Sequence, residues 1–253
     1  MVEKRARQPA KAASEGRPSG GGVETGEAVS RTKTLPPSRD SFGLALGALR
    51  RRLRLGVDAP GAVLPINRIA AELRLSPTPV REALSRLAGE DLVEKRGPAY
   101  TRPQLDGPAL AELYHLRLLY LGTALTPDAA RRAKHRQWPT RAPFSFAADL
   151  AEPGRDPARV VEALFLELVL GADDLMLAQA YQRTAERLAP FQAIEAQLFT
   201  DLSAEALGVV SAFETGKGAA LRSAVRSHHR RRMGAAHAIA RLAGGGRYRP
   251  DIV

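Results

Sequence analysis

A helix that begins with two prolines is the strongest constraint on how this sequence folds. The stretch SPTPVREALSRL, residues 76–87, places Ser76 at an N-cap and Pro77 and Pro79 in the first helical turn. Backbone N–H groups in a first turn have no intrahelical acceptor, so proline costs little there and marks a helix start. Apolar residues then recur at helical spacing, namely Val80, Ala83, Leu84 and Leu87. The pattern predicts a helix with one buried stripe and a polar, basic outer face.

The neighbouring segments predict a complete small domain around this helix. A helical pattern starts at Ser41 and ends at Gly56, and a short helix is predicted over Asn67 to Leu73. After the proline-started helix, two short strands are predicted over Leu92 to Arg96 and Ala99 to Pro103, joined by a Gly-Pro turn. Three helices followed by a basic hairpin are typical of a winged helix-turn-helix, which we assign to residues 41–103.

The charge of the chain favours a polyanionic partner. The net charge is +11, and residues 41–103 hold 11 Lys and Arg against 6 Asp and Glu. In a helix-turn-helix the second helix enters the major groove of DNA, where Arg81 can pair with guanine or hold a phosphate. The alternative is a solvated helix face on which Glu82 and Arg86 pair. The predicted DNA contacts are Arg50, Arg52, Arg68, Ser76, Thr78, Arg81, Ser85, Arg86, Lys95, Arg96, Gly97 and Arg102.

The segment INRIAAELRLSPTPVREALSRLAGEDLVEKRG resembles the DNA-binding domain of the GntR family of bacterial transcription regulators. The resemblance implies a homodimer that binds a palindromic operator in double-stranded DNA, with Arg81 among the contacts. Two positions depart from the family pattern. Pro77 stands where the family usually has an arginine, and Arg74 stands where it has a glycine in the turn. The wing is also short, so operator readout is expected to differ from that of other members.

The rest of the chain predicts a mainly α protein. Residues 1–40 have the composition of a disordered basic arm, residues 104–245 read as an all-helical domain, and residues 246–253 read as a tail. Within the helical domain, helices are predicted near residues 110–125, 159–170, 174–199 and 204–242, with an irregular region over 127–157.

The helix order after Asp106 is similar to the effector-binding FCD domain of the FadR-like branch of the family. Within ALAELYHLRLLYLGTAL, Arg117 matches the arginine of the entry helix. Many such domains hold a divalent metal with one Asp and three His, and the metal helps to bind a carboxylate effector. The corresponding positions are Glu162, Leu166, Ala206 and His228, so most ligands are lost and we expect no metal cofactor. Arg117, Glu162 and His228 remain as candidates for binding a small-molecule effector, although His228 and His229 can also be read as part of a basic, solvated face.

Other classes of function find little support in the sequence. There is no cysteine, no nucleophile elbow, no zinc-protease motif and no phosphate-binding loop, so we expect no catalytic residues. Neither a signal peptide nor a run of about 20 apolar residues is visible, which predicts a cytoplasmic, nucleoid-associated bacterial protein without membrane contact. Two functions stay open: a transcription regulator such as a repressor, or an architectural, partner-recruiting DNA-binding protein without an effector.

Overall fold

The computed structural model describes residues 40–126 and 145–245. Apart from Asp40, the predicted basic arm lies outside the described residues. The same holds for the predicted tail and for most of the predicted irregular region.

The N-terminal elements follow the predicted order of a winged helix-turn-helix. They are α1 (Ser41–Arg54), α2 (Ile66–Leu73), α3 (Pro77–Ala88), β1 (Glu94–Arg96) and β2 (Ala99–Thr101). The two strands pair antiparallel, with Arg96 opposite Ala99. Both are shorter than predicted: Leu92 and Val93 are buried in the apolar core before β1 begins, and β2 ends at Thr101, before Arg102 and Pro103.

The core of this part lies between α1 and α3. The predicted stripe of α3 is confirmed, since Val80, Ala83, Leu84 and Leu87 are all buried. The helix predicted from Ser41 to Gly56 is confirmed as α1. Its buried face is Ala45, Leu49 and Leu53, at i, i+4 and i+8, whereas Phe42, Leu44 and Leu55 are exposed. A single helix face cannot include apolar residues that alternate along the chain.

The C-terminal part is helical. Its elements are α4 (Gly107–Ala124), α5 (Phe146–Ala151), α6 (Pro157–Leu170), α7 (Leu175–Leu188), α8 (Gln192–Leu198), α9 (Leu202–Glu214) and α10 (Gly218–Ala243). Aspartates at the N-caps of α4, α6 and α7 accept hydrogen bonds from first-turn N–H groups; they are Asp106, Asp156 and Asp174. Asp173 lies in the turn before α7 with a positive φ of 54°.

Two helices that were predicted to be continuous are interrupted. The segment from Asp174 to Phe199 contains Pro190, which has no N–H to donate, and a short 3-10 helix (Ala189–Phe191) separates α7 from α8 there. The segment from Ala204 to Leu242 breaks at Gly216, whose φ of 66° is left-handed. Part of the predicted irregular region also forms a helix, α5.

The long helix α10 packs along α4 through most of its length. The two helices approach closely at Gly107, where an added Cβ would collide with the imidazole of His237. Apolar side chains from α4 and α10 form one cluster with Phe191, and a second cluster joins α6, α7 and α9 to the same pair of helices. No helix among the described residues has the length and apolar character needed to cross a membrane.

Candidate nucleic-acid interface and a buried polar cluster

The outer face of α3 is polar and accessible. Thr78, Arg81 and Ser85 are exposed, whereas the opposite face is packed in the core. Ser76 occupies the N-cap position as predicted, but its side chain makes no capping hydrogen bond. Its hydroxyl and the N–H of Thr78 are therefore available to an external acceptor such as a phosphate, whereas Pro77 and Pro79 have no N–H to offer.

The hairpin next to α3 forms a small wing. Gly97 adopts a φ of 59°, which lets the chain reverse between β1 and β2 in two residues. Lys95, Arg96 and Gly97 are exposed at its tip. Strand β2 is held by residues 61–64, because the N–H of Leu64 donates a hydrogen bond of 2.8 Å to the carbonyl of Tyr100. The wing is thus anchored to the domain at its base.

Three of the predicted DNA contacts are engaged inside the protein. Arg50 forms ion pairs with both Glu90 and Glu186. Arg52 binds Asp58 through Nε at 2.6 Å and through a terminal nitrogen at 2.8 Å, and also reaches Glu72. Arg102 is buried and donates to the backbone carbonyl of Asp58. Their guanidinium groups would have to leave these partners before binding a phosphate.

The remaining predicted basic contacts are exposed, and they differ in whether they have partners. Arg68 pairs with Glu72 at 3.0 Å, Arg86 with Glu90 at 2.8 Å, and Arg96 with Glu94 at 2.7 Å. Such exposed pairs are weak and exchange easily with phosphate. The alternative pair between Glu82 and Arg86 is not formed. Arg81 and Lys95 have no ion pair with any described residue, so they are the two predicted cations that are already free.

A second polar site is buried within the helical part, around Arg117 of α4. This guanidinium is 2% exposed and reaches three groups from two other helices. It donates to the carboxylate of Glu162 on α6, its Nε lies 3.0 Å from Nε2 of His229, and a terminal nitrogen lies 3.5 Å from Nε2 of His228. Burial works to lower the pKa of Arg117, but the neighbouring Glu162 carboxylate raises it, and the net pKa lies above the ordinary value. Arg117 stays charged.

Both histidines of this cluster are buried, which contradicts the reading of them as a solvated face. His228 is 4% exposed and His229 is fully buried. Burial, followed by the nearby guanidinium groups, holds the pKa of each well below its usual range. The second nitrogen of His229, Nδ1, lies 2.7 Å from the carbonyl of Val225. Because Nε2 accepts from Arg117, Nδ1 must bear the hydrogen, and His229 is a neutral imidazole.

The cluster extends further than the sequence indicated. Arg232, one turn after His228, donates from Nε to Glu195 at 2.6 Å and from a terminal nitrogen to Glu205 at 2.8 Å. The hydroxyl of Tyr114 donates to Glu195 at 2.6 Å. His228 and Arg232 are four residues apart on one helix, and this spacing was the sequence signal that they share a face. Their acidic partners lie on α8 and α9 and could not be paired with them from the sequence.

A divalent metal of the kind implied by the FCD resemblance does not fit these residues. Leu166 and Ala206 have no ligating atoms, and Glu162 already neutralises Arg117. His229 has no free lone pair, because Nε2 accepts from Arg117 and Nδ1 is protonated. Within residues 40–126 and 145–245, no group of three His, Asp or Glu side chains is placed to hold an ion. The buried cations of this cluster are the guanidinium groups of Arg117 and Arg232.

The arrangement of α1 to α3 and the wing defines a winged helix-turn-helix protein. Residues 45–98 match the bacterial regulatory proteins of the gntR family, so this part of the chain is a DNA-binding domain of the GntR type. Two curated relatives are similar over 83 residues: the gluconate operon transcriptional repressors of Bacillus subtilis, at 39% identity, and of Bacillus licheniformis, at 34%. The similarity covers 32% of this chain and 34% of each relative.

Solved structures extend the likeness of fold to the helical part. E. coli McbR/YncC superposes with a TM-score of 0.58 at 18% identity, covering 79% of this chain and 99% of that one. The transcriptional regulator GntR from Rhodococcus sp. RHA1 gives a TM-score of 0.53 at 18% identity, covering 77% of this chain and 96% of that one. A mainly α fold with an N-terminal winged helix-turn-helix and a helical C-terminal part is confirmed.

Proposed function

We propose that this protein is a sequence-specific transcription regulator that acts by binding DNA and not by catalysis. The observation on which this rests is the outer face of α3: an accessible first turn, followed by an unpaired Arg81 between Thr78 and Ser85. The family assignment supports it, and both curated relatives are named as transcriptional repressors.

In the proposed complex α3 lies in the major groove and the wing follows the backbone. Arg81 donates to a guanine edge, Thr78 and Ser85 contact neighbouring groups, and Lys95 at the wing holds a phosphate. Arg50, Arg52 and Arg102 have their own intramolecular partners, so we assign them to stabilising the domain. Arg68, Arg86 and Arg96 supply a weaker phosphate-binding rim.

The helical part is proposed to dimerise and to sense a small molecule. Two copies would place their α3 helices about 34 Å apart, one turn of DNA, on a palindromic operator. Arg117, Glu162 and His228 contribute to the effector region without a metal. Residues 41–103 would bind DNA, and residues 104–245 would form the dimer and bind the small molecule.

An architectural role is the second candidate, and one observation favours it. Pro77 removes an arginine from the position where other family members usually have one, which reduces the number of base-reading side chains on α3. Such a protein would bind mainly through phosphates, with steep salt dependence and little preference among sequences.

Binding to unrelated duplexes separates the two functions. Operator fragments taken from upstream of the protein's own coding region, and two shuffled duplexes of equal length, would be titrated at several salt concentrations. A regulator binds one fragment at least about a thousandfold more tightly than the shuffled duplexes. Equal affinity for all duplexes would reject the proposed regulator and favour the architectural role.

A further inference from the structure

An arginine with a left-handed backbone stands in the turn that leads into α3. Arg74 follows the last residue of α2 and has a φ of 56° and a ψ of 38°. The other described non-glycine residues with a positive φ are Asp91 and Asp173, and aspartate is one of the residue types that adopt this conformation most readily. Arginine has no such preference, and its Cβ makes the conformation costly. The strain at Arg74 has no local explanation and indicates a use for its side chain.

Hydrogen bonds and apolar contacts fix the turn around Arg74. Its N–H donates to the carbonyl of Ala71 over 3.1 Å, and the N–H of Leu75 donates to the carbonyl of Ala70 over 2.9 Å. Leu73 and Leu75, on either side, pack against the apolar core of the winged part. The side chain between them is exposed, so an anchored turn carries Arg74 at the surface.

The guanidinium of Arg74 has no ion pair or side-chain hydrogen bond with any described residue. The neighbouring carboxylate at the end of α2, Glu72, is already paired with Arg68 at 3.0 Å and with Arg52 at 2.7 Å. Residues 73–81, LRLSPTPVR, contain two arginines and no acidic side chain. The turn and the first half of α3 therefore form a positive surface that no carboxylate of the same stretch neutralises.

The position of Arg74 in the motif favours the DNA backbone over the bases. In a helix-turn-helix the first helix crosses the backbone, and the N-terminal residues of the second helix reach the base edges. The turn between the helices lies where the chain passes from the phosphates into the groove. Two steps along the chain separate Arg74 from Ser76, the N-cap of α3, so their Cα atoms are at most about 7.6 Å apart. A phosphate at the edge of the groove is the acceptor that this guanidinium would meet.

The first turn of α3 lacks donors that a phosphate would ordinarily use. A helix N-terminus binds anions through its unpaired N–H groups, and Pro77 and Pro79 have none. The hydroxyl of Ser76 and the N–H of Thr78 remain. A guanidinium carries five N–H donors and binds phosphate through two of them at once. Arg74 is thus placed to supply the donors that the prolines remove.

We propose that Arg74 binds a backbone phosphate of DNA at the edge of the groove that α3 enters, and that this contact offsets the strain of its backbone. The contact is additional to those predicted from the sequence. It would fix how α3 lies in the groove and so position Arg81 against the bases. The proposal rests on DNA binding by the winged part and is independent of sequence selectivity, because every duplex has phosphates.

Arg74→Gly tests strain and binding in one variant of the full chain. Glycine adopts the left-handed conformation without a Cβ penalty, so the variant should melt about 2 °C or more above the wild type. It should also bind DNA about fivefold or more weakly. A protein that is more stable and yet binds less tightly cannot owe its weaker binding to unfolding. A melting temperature that does not rise would contradict the offset of strain by the contact.

Titrations at several salt concentrations test whether the acceptor is a phosphate. Arg74→Gln should weaken binding to the operator fragments and to the shuffled duplexes by the same factor, and should reduce the slope of log K against log salt concentration by about one. Arg74→Lys keeps the charge and should keep the slope. The matched control is Arg226→Gln, which removes the same charge from an exposed position on α10 and should leave affinity and slope nearly unchanged.

Neutral methylphosphonate linkages, placed one at a time in an operator fragment, locate the phosphate. One linkage should weaken binding of the wild type about fivefold and have no effect on Arg74→Gln, as in a double-mutant cycle. The proposal is overturned if Arg74→Gly and Arg74→Gln bind DNA as tightly as the wild type. It is also overturned if they weaken binding to the operator alone, since that result assigns Arg74 to a base. Equal affinity of the wild type for operator and shuffled DNA contradicts the proposed regulator only, because the salt slope still tests Arg74.

Discussion

Nε of Arg117 lies 3.0 Å from Nε2 of His229, and this contact joins α4 to α10 at the centre of the helical part. It fixes the tautomer of the histidine and leaves no lone pair for an external cation. The guanidinium also connects Glu162 to both histidines.

The first prediction concerns metals. Adding Zn²⁺, Mn²⁺ or Ni²⁺ to the untagged protein, or removing metals with EDTA, should move the melting temperature by less than about 1 °C. A bound ion at 100 times its Kd would stabilise the fold by about 2.7 kcal/mol, which corresponds to several degrees. A metal-dependent rise that disappears in Glu162→Gln would show that an ion displaces Arg117.

The second prediction concerns pH. His228 and His229 have lower pKa values in the folded protein than the value of about 6.5 expected in the unfolded chain. The unfolded chain therefore binds more protons, so the stability is fully present above about pH 6.5 and is lost as the pH falls below it. Below that pH the free energy of unfolding should fall by up to about 1.4 kcal/mol per pH unit for each histidine. Urea unfolding at a series of pH values measures this slope.

The matched control for this pH effect is an exposed histidine. His115→Gln should leave the slope unchanged, because His115 is exposed on α4, and His229→Gln should reduce it by about half. A flat pH profile between about pH 5.5 and 7 in the wild type would contradict the buried, neutral state of the pair.

The third prediction separates structural from DNA-binding arginines. Arg52 is only partly exposed and binds Asp58 and Glu72, so Arg52→Gln should lower the free energy of unfolding by about 1–3 kcal/mol. DNA affinity per folded molecule should change little. Thermal unfolding tests the loss of stability, and titration of DNA with the same preparation tests the affinity. A large loss of DNA affinity without loss of stability would show that Arg52 contacts DNA.

The fourth prediction concerns Arg81. This side chain has no ion pair with any described residue, so Arg81→Ala should leave stability unchanged and weaken operator binding by about 1–3 kcal/mol. The matched control is Arg226→Ala, which removes an exposed arginine from α10. Equal affinities of Arg81→Ala and wild type, for operator and for shuffled DNA, would exclude Arg81 from base recognition.

The winged domain could be predicted from sequence because its signals are local. The prolines of α3, its apolar spacing and the Gly-Pro turn of the wing each fix the backbone within a few residues. Arg74 shows the limit of such reasoning: it replaces a glycine, and the chain still adopts the left-handed turn there, with a φ of 56°.

The buried cluster could not be predicted because its pairs are far apart in sequence. Arg117 and His229 are separated by 112 positions, and Tyr114 and Glu195 by 81. SHHRRR resembles a solvated run until His228, His229 and Arg232 are seen to be buried beneath the neighbouring helices, while Arg230 stays exposed. The same limitation applies to Arg50, Arg52 and Arg102, whose charge suggested phosphate contacts and whose carboxylate or carbonyl partners are seen only in the fold.

The measurement that tests the central claim most directly is selection of the purified full chain against a random duplex library at near-physiological salt. The account predicts an enriched palindromic motif, with half-sites spaced by about one turn of DNA for a dimer. Measurable binding without any enriched motif would contradict it. That result would mean that Arg81, Thr78 and Ser85 hold the backbone without reading bases, and that the architectural role describes this protein.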